Sequence, residues 1–190
     1  RKVAAEVENA PLEIDDTPAR LVDEIRLRAF KFVRALPPGT PCAVFVDYMQ
    51  LIHADIKPNE SREREVAIVS VNMKNIAKSL NIPVICAAQL RRPKDGDKDR
   101  EPQLTSLRES GALEQDADVI TIIHNTEDES KDSEGKEAVE VSPVRPVTLI
   151  VAKNRGGRTH RLQFQFDTTH TKFVDNCIQK SYNKEKIEAY

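Results

Sequence analysis

Two polar side chains follow apolar runs of the kind that form buried strands. Asp47 ends the run at residues 43–47, and Gln89 follows the run at residues 84–88. A carboxylate at the C-terminal end of a parallel strand suits a Mg²⁺–phosphate complex, because hard cations prefer oxygen ligands. An amide that both donates and accepts can sense a terminal phosphate. If the two strands are parallel neighbours, these side chains lie side by side, although each could also be an ordinary polar strand end.

A basic cluster surrounds a predicted turn. Lys153, Arg155 and Arg158 flank Gly156 and Gly157, between two runs with strand-like character. Glycine supplies the positive φ that a tight turn needs, so these residues predict a β-hairpin with a cationic tip. Such a tip can be a plain solvated turn or an electrostatic patch for nucleic acid.

The apolar pattern predicts the α/β elements that position these groups. Helical spacing predicts helices over residues 17–36 and 60–80, the first with Thr17 as N-cap and Pro18 in its first turn. It also predicts a short helical pattern at 3–7 and a turn with a short helix within 104–118. Shorter apolar runs predict strands at residues 11–16, 43–47, 83–88, 119–123, 147–152, 160–166 and 172–174. The alternation favours a mainly parallel sheet flanked by helices, with an antiparallel hairpin near the C-terminus.

Composition sets the broad class. The 190 residues carry a net charge of -2 with 32% charged residues, so any nucleic-acid surface must come from local basic clusters. The three cysteines and four histidines lack metal-ligand spacing, and no signal segment or membrane span is visible. We expect a soluble protein of a reducing cytosol. Residues 1–175 are expected to form one domain with a flexible acidic insertion at 125–142, followed by a tail at 176–190.

Six segments form a collinear series of motifs. They are LEIDDTP at residues 12–18, VDYMQL at 46–51, REV at 64–66, LNIPV at 80–84, LRESGALEQDAD at 107–118 and AKNR at 152–155. Together they closely resemble the DnaB family of replicative DNA helicases, from about residue 3 to residue 174. Several motifs in one order are far more specific than any single motif.

The resemblance implies a RecA-like P-loop NTPase core in a ring hexamer that encircles one DNA strand. Such a motor couples ATP hydrolysis to 5′ to 3′ translocation and duplex unwinding, with ATP and Mg²⁺ as cofactors. Asp47 is then the Walker B carboxylate that holds Mg²⁺ through water, and Gln89 links the nucleotide state to the DNA loops. The implied partners are single-stranded DNA, a primase and a helicase loader, with no membrane. The implied location is the cytoplasm, at the nucleoid or replisome.

The resemblance also assigns the basic residues. Arg108, Glu109 and Gly111 match the loop that grips a phosphate of single-stranded DNA, where a guanidinium and backbone amides bind phosphate without reading bases. The Glu109 carboxylate would not favour phosphate, so a backbone contact or an inter-subunit bridge is its implied role. Lys153 and Arg155 match the inter-subunit basic finger, which neutralises charge on the γ-phosphate in the neighbour's nucleotide site.

The sequence departs from the family pattern above all in its phosphate-binding part. No phosphate loop of the form G-x-x-x-x-G-K-[ST] occurs in these residues, so the first (Walker A) strand and the Glu that polarises water are expected upstream of Arg1. Because phosphates need that loop's amides and Lys, this chain alone is expected not to hydrolyse ATP. One interpretation is part of a helicase motor. The alternative is an accessory or degenerate protein that binds single-stranded DNA or a helicase ring without ATPase activity.

Overall fold

The computed structural model describes residues 10–91, 101–107, 110–125 and 144–175. The chain divides into two compact units, residues 1–87 and 88–190. The helix predicted at 3–7, most of the acidic stretch and the tail lie outside the described residues.

The first unit combines two helices with a parallel pair of strands. Its elements are α1 (Val22–Ala35), β1 (Val44–Val46), a 3₁₀ turn (Met49–Leu51), α2 (Arg62–Leu80) and β2 (Val84–Cys86). β1 and β2 are parallel, with Val44 opposite Val84 and Val46 opposite Cys86. The parallel pairing expected for the two strands is therefore present. It is positioned by α2, whose apolar stripe is buried at Val66, Val69, Met73 and Ile76.

The segment before α1 is neither the strand nor the helix start that the sequence predicts. Residues 12–17 form no strand, and Ile14 is 74% exposed. The amide of Thr17 donates to Asp15 Oδ1 (3.1 Å), and Arg20 Nε donates to Asp15 Oδ2 (3.1 Å). These bonds hold a non-helical turn, so α1 begins at Val22 rather than at Thr17. The Arg20 guanidinium also lowers the pKa of Asp15 from 3.8 to about 2.

A buried carboxylate ties α2 to the segment that follows β1. Glu65 is only 7% exposed, and its Oε1 accepts from the Ala54 amide (3.1 Å) and contacts His53 Nδ1 (2.9 Å). Arg62 donates to Glu65 Oε2 and to the carbonyl of Gln50 (2.7 Å). Burial by itself raises the pKa of Glu65, but the bonds from Ala54, Arg62 and His53 together lower it below 4.5.

Removing this carboxylate is expected to destabilise the first unit. Glu65→Ala leaves the Ala54 amide and part of the Arg62 guanidinium without their acceptor, at a cost of about 2–4 kcal/mol in the free energy of unfolding. Glu63→Ala is the matched control, because Glu63 is exposed in the same helical turn and its loss should cost less than about 0.5 kcal/mol. Urea unfolding of both variants measures the difference, and equal costs would contradict the role of Glu65.

The same network makes stability depend on pH in a known direction. Because the Glu65 pKa is lower in the folded state, the unfolded state binds more protons as acid is added, and stability falls as the pH drops below 4.5. Glu65→Gln should flatten this part of the profile, which urea unfolding at a series of pH values measures. An unchanged slope in the variant would assign the acid sensitivity to other carboxylates.

The second unit is built on a four-stranded antiparallel sheet. Its elements are a 3₁₀ turn (Leu104–Ser106), α3 (Ser110–Asp116), β3 (Val119–Asn125), β4 (Val144–Asn154), β5 (His160–Asp167) and β6 (Lys172–Asp175), with sheet order β3-β4-β5-β6. The predicted hairpin is β4 and β5, in which Leu149 lies opposite Leu162. One face packs a core of Leu107, Ile120, Ile122 and Ile150. The α/β class is confirmed, and the antiparallel part is larger than the hairpin alone because β3 also pairs antiparallel with β4.

Candidate functional site

Asp47 lies in the first unit as the residue directly after β1, and its side chain is exposed. Its backbone is fixed from both sides: Val46 O accepts from the Ala87 amide (2.9 Å), and the Met49 amide donates to Ala87 O (2.9 Å). The Asp47–Tyr48 peptide bond between these anchors is cis. A carboxylate thus stands open to solvent at the edge where β2 also ends.

Gln89 lies in the second unit, three residues beyond the end of β2 at Cys86. The sequence places it directly after a strand, and the structure corrects this because the β1–β2 pairing stops at Cys86. The next residue, Leu90, forms an isolated antiparallel bridge with Leu107, and the Arg91 amide donates to Ser106 O (2.7 Å). Gln89 therefore lies on a segment paired with the one that leads to Arg108.

The hairpin turn has a steric reason for Gly157 but not for Gly156, and neither glycine has the positive φ that the sequence predicts for this turn. The Asn154 side chain folds over the turn, with its Oδ1 accepting from the Gly156 amide (3.1 Å). A Cβ at Gly157 would come within 2.9 Å of Asn154 Nδ2, so any other residue would displace that amide. Arg158 is exposed on the same turn.

Lys153 and Arg155 are brought together at the C-terminal end of α3. Lys153 Nζ donates to the carbonyl of Glu114, and Arg155 donates to the carbonyl of Gln115. Arg155 also pairs with Asp118 Oδ1 (3.2 Å), and its amide donates to Asp118 O (2.9 Å). The two predicted finger residues thus share one anchor.

Arg108 and Glu109 lie outside the described residues, while Gly111 lies in α3 and is exposed. A Cβ built at Gly111 meets no atom within 4 Å. Glycine is therefore not required there for space within the chain, and its bare backbone remains accessible to a ligand.

Gly111→Ala is expected to lower affinity for single-stranded DNA without lowering thermal stability. Alanine fits the space and favours a helix by about 1 kcal/mol, so the Tm should hold or rise. If the backbone at Gly111 approaches a DNA phosphate, the added methyl group should weaken affinity for single-stranded DNA several-fold. Thermal unfolding and fluorescence anisotropy with an oligothymidine test this, and unchanged affinity would contradict the DNA contact that the resemblance implies for Gly111.

The single Asp47 carboxylate fits the Mg²⁺ that the resemblance implies. Such an ion keeps several waters and phosphate oxygens and needs only one or two carboxylates from the protein. Within the described part of the chain, no group of three or more His, Cys, Asp or Glu side chains could by itself enclose a metal.

Among those same residues, no helix is long and apolar enough to cross a membrane.

Two residues with roles in the structure have no role predicted from the sequence. Asp118 meets Arg155 across 37 positions of sequence, and spacing alone carries no signal for such a contact. Glu65 belongs to a motif of the resemblance, yet its burial among Arg62, His53 and Ala54 is not expected from a charged residue.

Comparison with known proteins gives a consistent result. The model of the DnaB-like helicase C terminal domain matches residues 1–175. A replicative DNA helicase DnaB of Mycoplasma pneumoniae is 38% identical over 90% of this chain and 36% of its own length. The DnaB of Geobacillus stearothermophilus is 32% identical over 94% and 37%, respectively. The chain thus spans little more than a third of the length of these curated relatives.

Two solved structures share the fold. A DnaB-like replicative helicase, studied with its interactions with primase, has a TM-score of 0.78 and 31% identity over 92% of this chain and 39% of its own. The second is an ATPase domain with the same TM-score and identity, over 92% of this chain and 58% of its own. The fold is therefore that of a RecA-like ATPase domain. The chain belongs to the family of DnaB-like helicase C-terminal domains.

Proposed function

We propose that this chain is part of a replicative DNA helicase, a ring-forming motor that couples ATP hydrolysis to 5′ to 3′ translocation on single-stranded DNA and to duplex unwinding. The observation that carries the proposal is Asp47, an exposed carboxylate directly after a parallel strand, in a chain that shares its fold with an ATPase domain. ATP and Mg²⁺ are its proposed cofactors. Single-stranded DNA, further copies of the chain, a primase and a loader are its proposed partners, at the replicating nucleoid.

In this proposal, each unit supplies a different part of the reaction. Mg²⁺, when bound, screens the phosphate charge and fixes the geometry of the nucleotide. Asp47 holds the position of that ion through its carboxylate, and the two backbone bonds to Ala87 keep the carboxylate in place. Lys153 and Arg155 reach the neighbouring subunit's nucleotide and offset charge that develops on the transferred phosphoryl group.

The DNA-binding part is proposed for Arg108, Glu109 and Gly111. The bridge between Leu90 and Leu107 supports a link between Gln89 and this segment, because it holds the residue after Gln89 beside the residue before Arg108. A change at Gln89 that follows the nucleotide state would then reach the residues next to the DNA.

One binding experiment separates this site from a patch on the hairpin. Arg108→Ala should lower affinity for single-stranded DNA and reduce the slope of log K against log salt by about 0.7 for each phosphate that the variant no longer neutralises. Arg158→Ala, at an exposed arginine on the turn, is the matched control and should leave the slope unchanged. The reverse result would move the DNA site to the hairpin.

A second measurement separates the motor from an accessory protein. We propose to express the protein from its natural reading frame and to measure ATP turnover and unwinding of a forked duplex. DNA-stimulated turnover with unwinding supports the motor. Binding to DNA without turnover would support the accessory alternative.

A further inference from the structure

The 3₁₀ turn that follows Asp47 is attached to the strand pair at its first residue. The Met49 amide donates to Ala87 O (2.9 Å), and Met49 is only 6% exposed. The turn is closed by a bond from the Ile52 amide to Met49 O (3.1 Å). The direction in which the backbone leaves Asp47 therefore depends on this turn remaining closed.

Arg62, in the first turn of α2, holds the other end of the 3₁₀ turn. Its Nη2 donates to Gln50 O (2.7 Å) and to Ile52 O (3.3 Å). Carbonyls at the end of a helical turn lack partners within the turn and carry partial negative charge, so a cation is stabilised there. The Arg62 guanidinium thus caps the C-terminal end of the 3₁₀ turn.

Glu65 fixes the orientation of the Arg62 guanidinium. Arg62 Nη1 donates to Glu65 Oε2, and the two side chains are 33% and 9% exposed. A guanidinium is planar and can donate from two nitrogens in a fixed geometry, which the single nitrogen of an ammonium does not reproduce. Because one nitrogen is bound to a nearly buried carboxylate, the other is directed at the carbonyls of the turn.

The chain beyond the turn is attached without help from Arg62. The His53 amide donates to Arg20 O (2.9 Å), and the Val22 amide donates to His53 O (2.8 Å). Loss of the Arg62 side chain would therefore loosen the 3₁₀ turn while the chain stays attached on both sides of it.

We infer that Arg62 is a positioning residue for the Asp47 carboxylate and acts through the 3₁₀ turn. The inference rests on the proposed function, in which Asp47 holds Mg²⁺ beside the nucleotide. With Arg62 bound to its carbonyls, the turn stays closed and the bond from Met49 to Ala87 fixes the backbone next to Asp47. Without Arg62, the carboxylate spends less time in the position that serves the ion.

Hydrogen exchange of the protein expressed from its natural reading frame tests the effect on the turn without any use of ATP. Arg62→Ala should speed exchange of the Met49 and Ile52 amides several-fold, while the His53 amide keeps its parental rate. Arg64→Ala is the matched control, because Arg64 is an exposed arginine of the same helical turn, and it should leave these amides unchanged. Parental exchange at Met49 and Ile52 in Arg62→Ala would overturn the inference.

Steady-state kinetics test whether the turn affects the reaction. Arg62→Ala should lower kcat for ATP hydrolysis about tenfold with the KM for ATP unchanged, because a misplacement of about 1 Å can cost up to about 100-fold in rate. Arg62→Lys keeps a cation near the carbonyls and should recover part of the loss. Arg64→Ala should keep the parental kcat.

A double-variant cycle distinguishes positioning of Asp47 from a general structural role. In an Asp47→Asn background, Arg62→Ala should cause almost no further loss of kcat, because the carboxylate that Arg62 positions is already absent. A general structural role would lower kcat by the same factor in both backgrounds, and that result would overturn the inference.

The outcomes also separate this inference from the proposed function. A parent protein without ATP turnover would overturn both. Parental turnover in Arg62→Ala, together with a loss of turnover in Asp47→Asn, would overturn the inference alone.

Discussion

Arg155→Ala is expected to lower ATP turnover by about 10³-fold or more in the assembled native protein, the range for loss of an arginine that offsets charge on a transferred phosphoryl group. We expect the Arg155→Ala variant to fold like the parent. The Arg155 side chain is half exposed, and its amide still donates to Asp118 O in the variant because that bond belongs to the backbone. Turnover assays with matched Tm measurements test the expectation.

The Arg155 variant can also show that the residue acts across a subunit boundary. Arg155→Ala subunits keep Asp47, and Asp47→Asn subunits keep Arg155. In a ring mixed from equal amounts of the two, about one quarter of the subunit interfaces combine an intact Asp47 with an intact Arg155 from the neighbour. Single-turnover hydrolysis should therefore reappear on mixing. Mixed assemblies that stay inactive would indicate that Arg155 does not act in trans.

Much of the fold can be predicted because its elements carry local signals. The hairpin is predictable because two strand-like runs flank consecutive glycines, and α2 because its apolar residues recur at helical spacing. The predicted start of α1 is wrong because Asp15 captures the Thr17 amide in a turn, so a residue that looks like an N-cap is used elsewhere. Short apolar runs do not reveal strand direction, and for this reason the antiparallel pairing of β3 is not predictable from them.

The candidate site also has a part that can be predicted from the sequence and a part that cannot. Asp47, Lys153 and Arg155 can be proposed as site residues because motifs record residue type and order, and Asp47 and Arg155 are exposed in the structure. The residues that hold these side chains in place cannot be predicted in this way, because contacts between distant segments of the chain determine them. Lys153 meets Glu114 across 39 positions and Arg155 meets Asp118 across 37. A motif indicates which side chain to propose for a role, whereas only the fold shows which residues hold that side chain in place.

Substitutions of proposed site residues and of the residues that support them should differ in their effects on turnover and stability. Residues proposed to act on the nucleotide, such as Asp47 and Arg155, should affect turnover strongly and stability weakly, because they are exposed. Supports such as Glu65 should do the reverse, since burial makes the loss of a partner costly. Asp118 lies between the two classes, exposed like an acting residue yet bonded like a support.

Asp47→Asn is expected to have the largest effect on turnover with the least effect on stability. The amide keeps the size of the side chain and loses the negative charge, so the fold and DNA binding should be retained while a Mg²⁺–nucleotide complex loses its carboxylate. Loss of a metal-holding charge worth about 4 kcal/mol to the transition state lowers turnover about 10³-fold. Asp55→Asn is the matched control, because Asp55 is also an exposed carboxylate in the first unit but lies beyond the 3₁₀ turn rather than at the end of β1. Of the two variants, only Asp47→Asn should lose turnover, and a higher Mg²⁺ concentration should not restore it. Parental turnover in Asp47→Asn, or equal losses in the two variants, would remove Asp47 from the metal site.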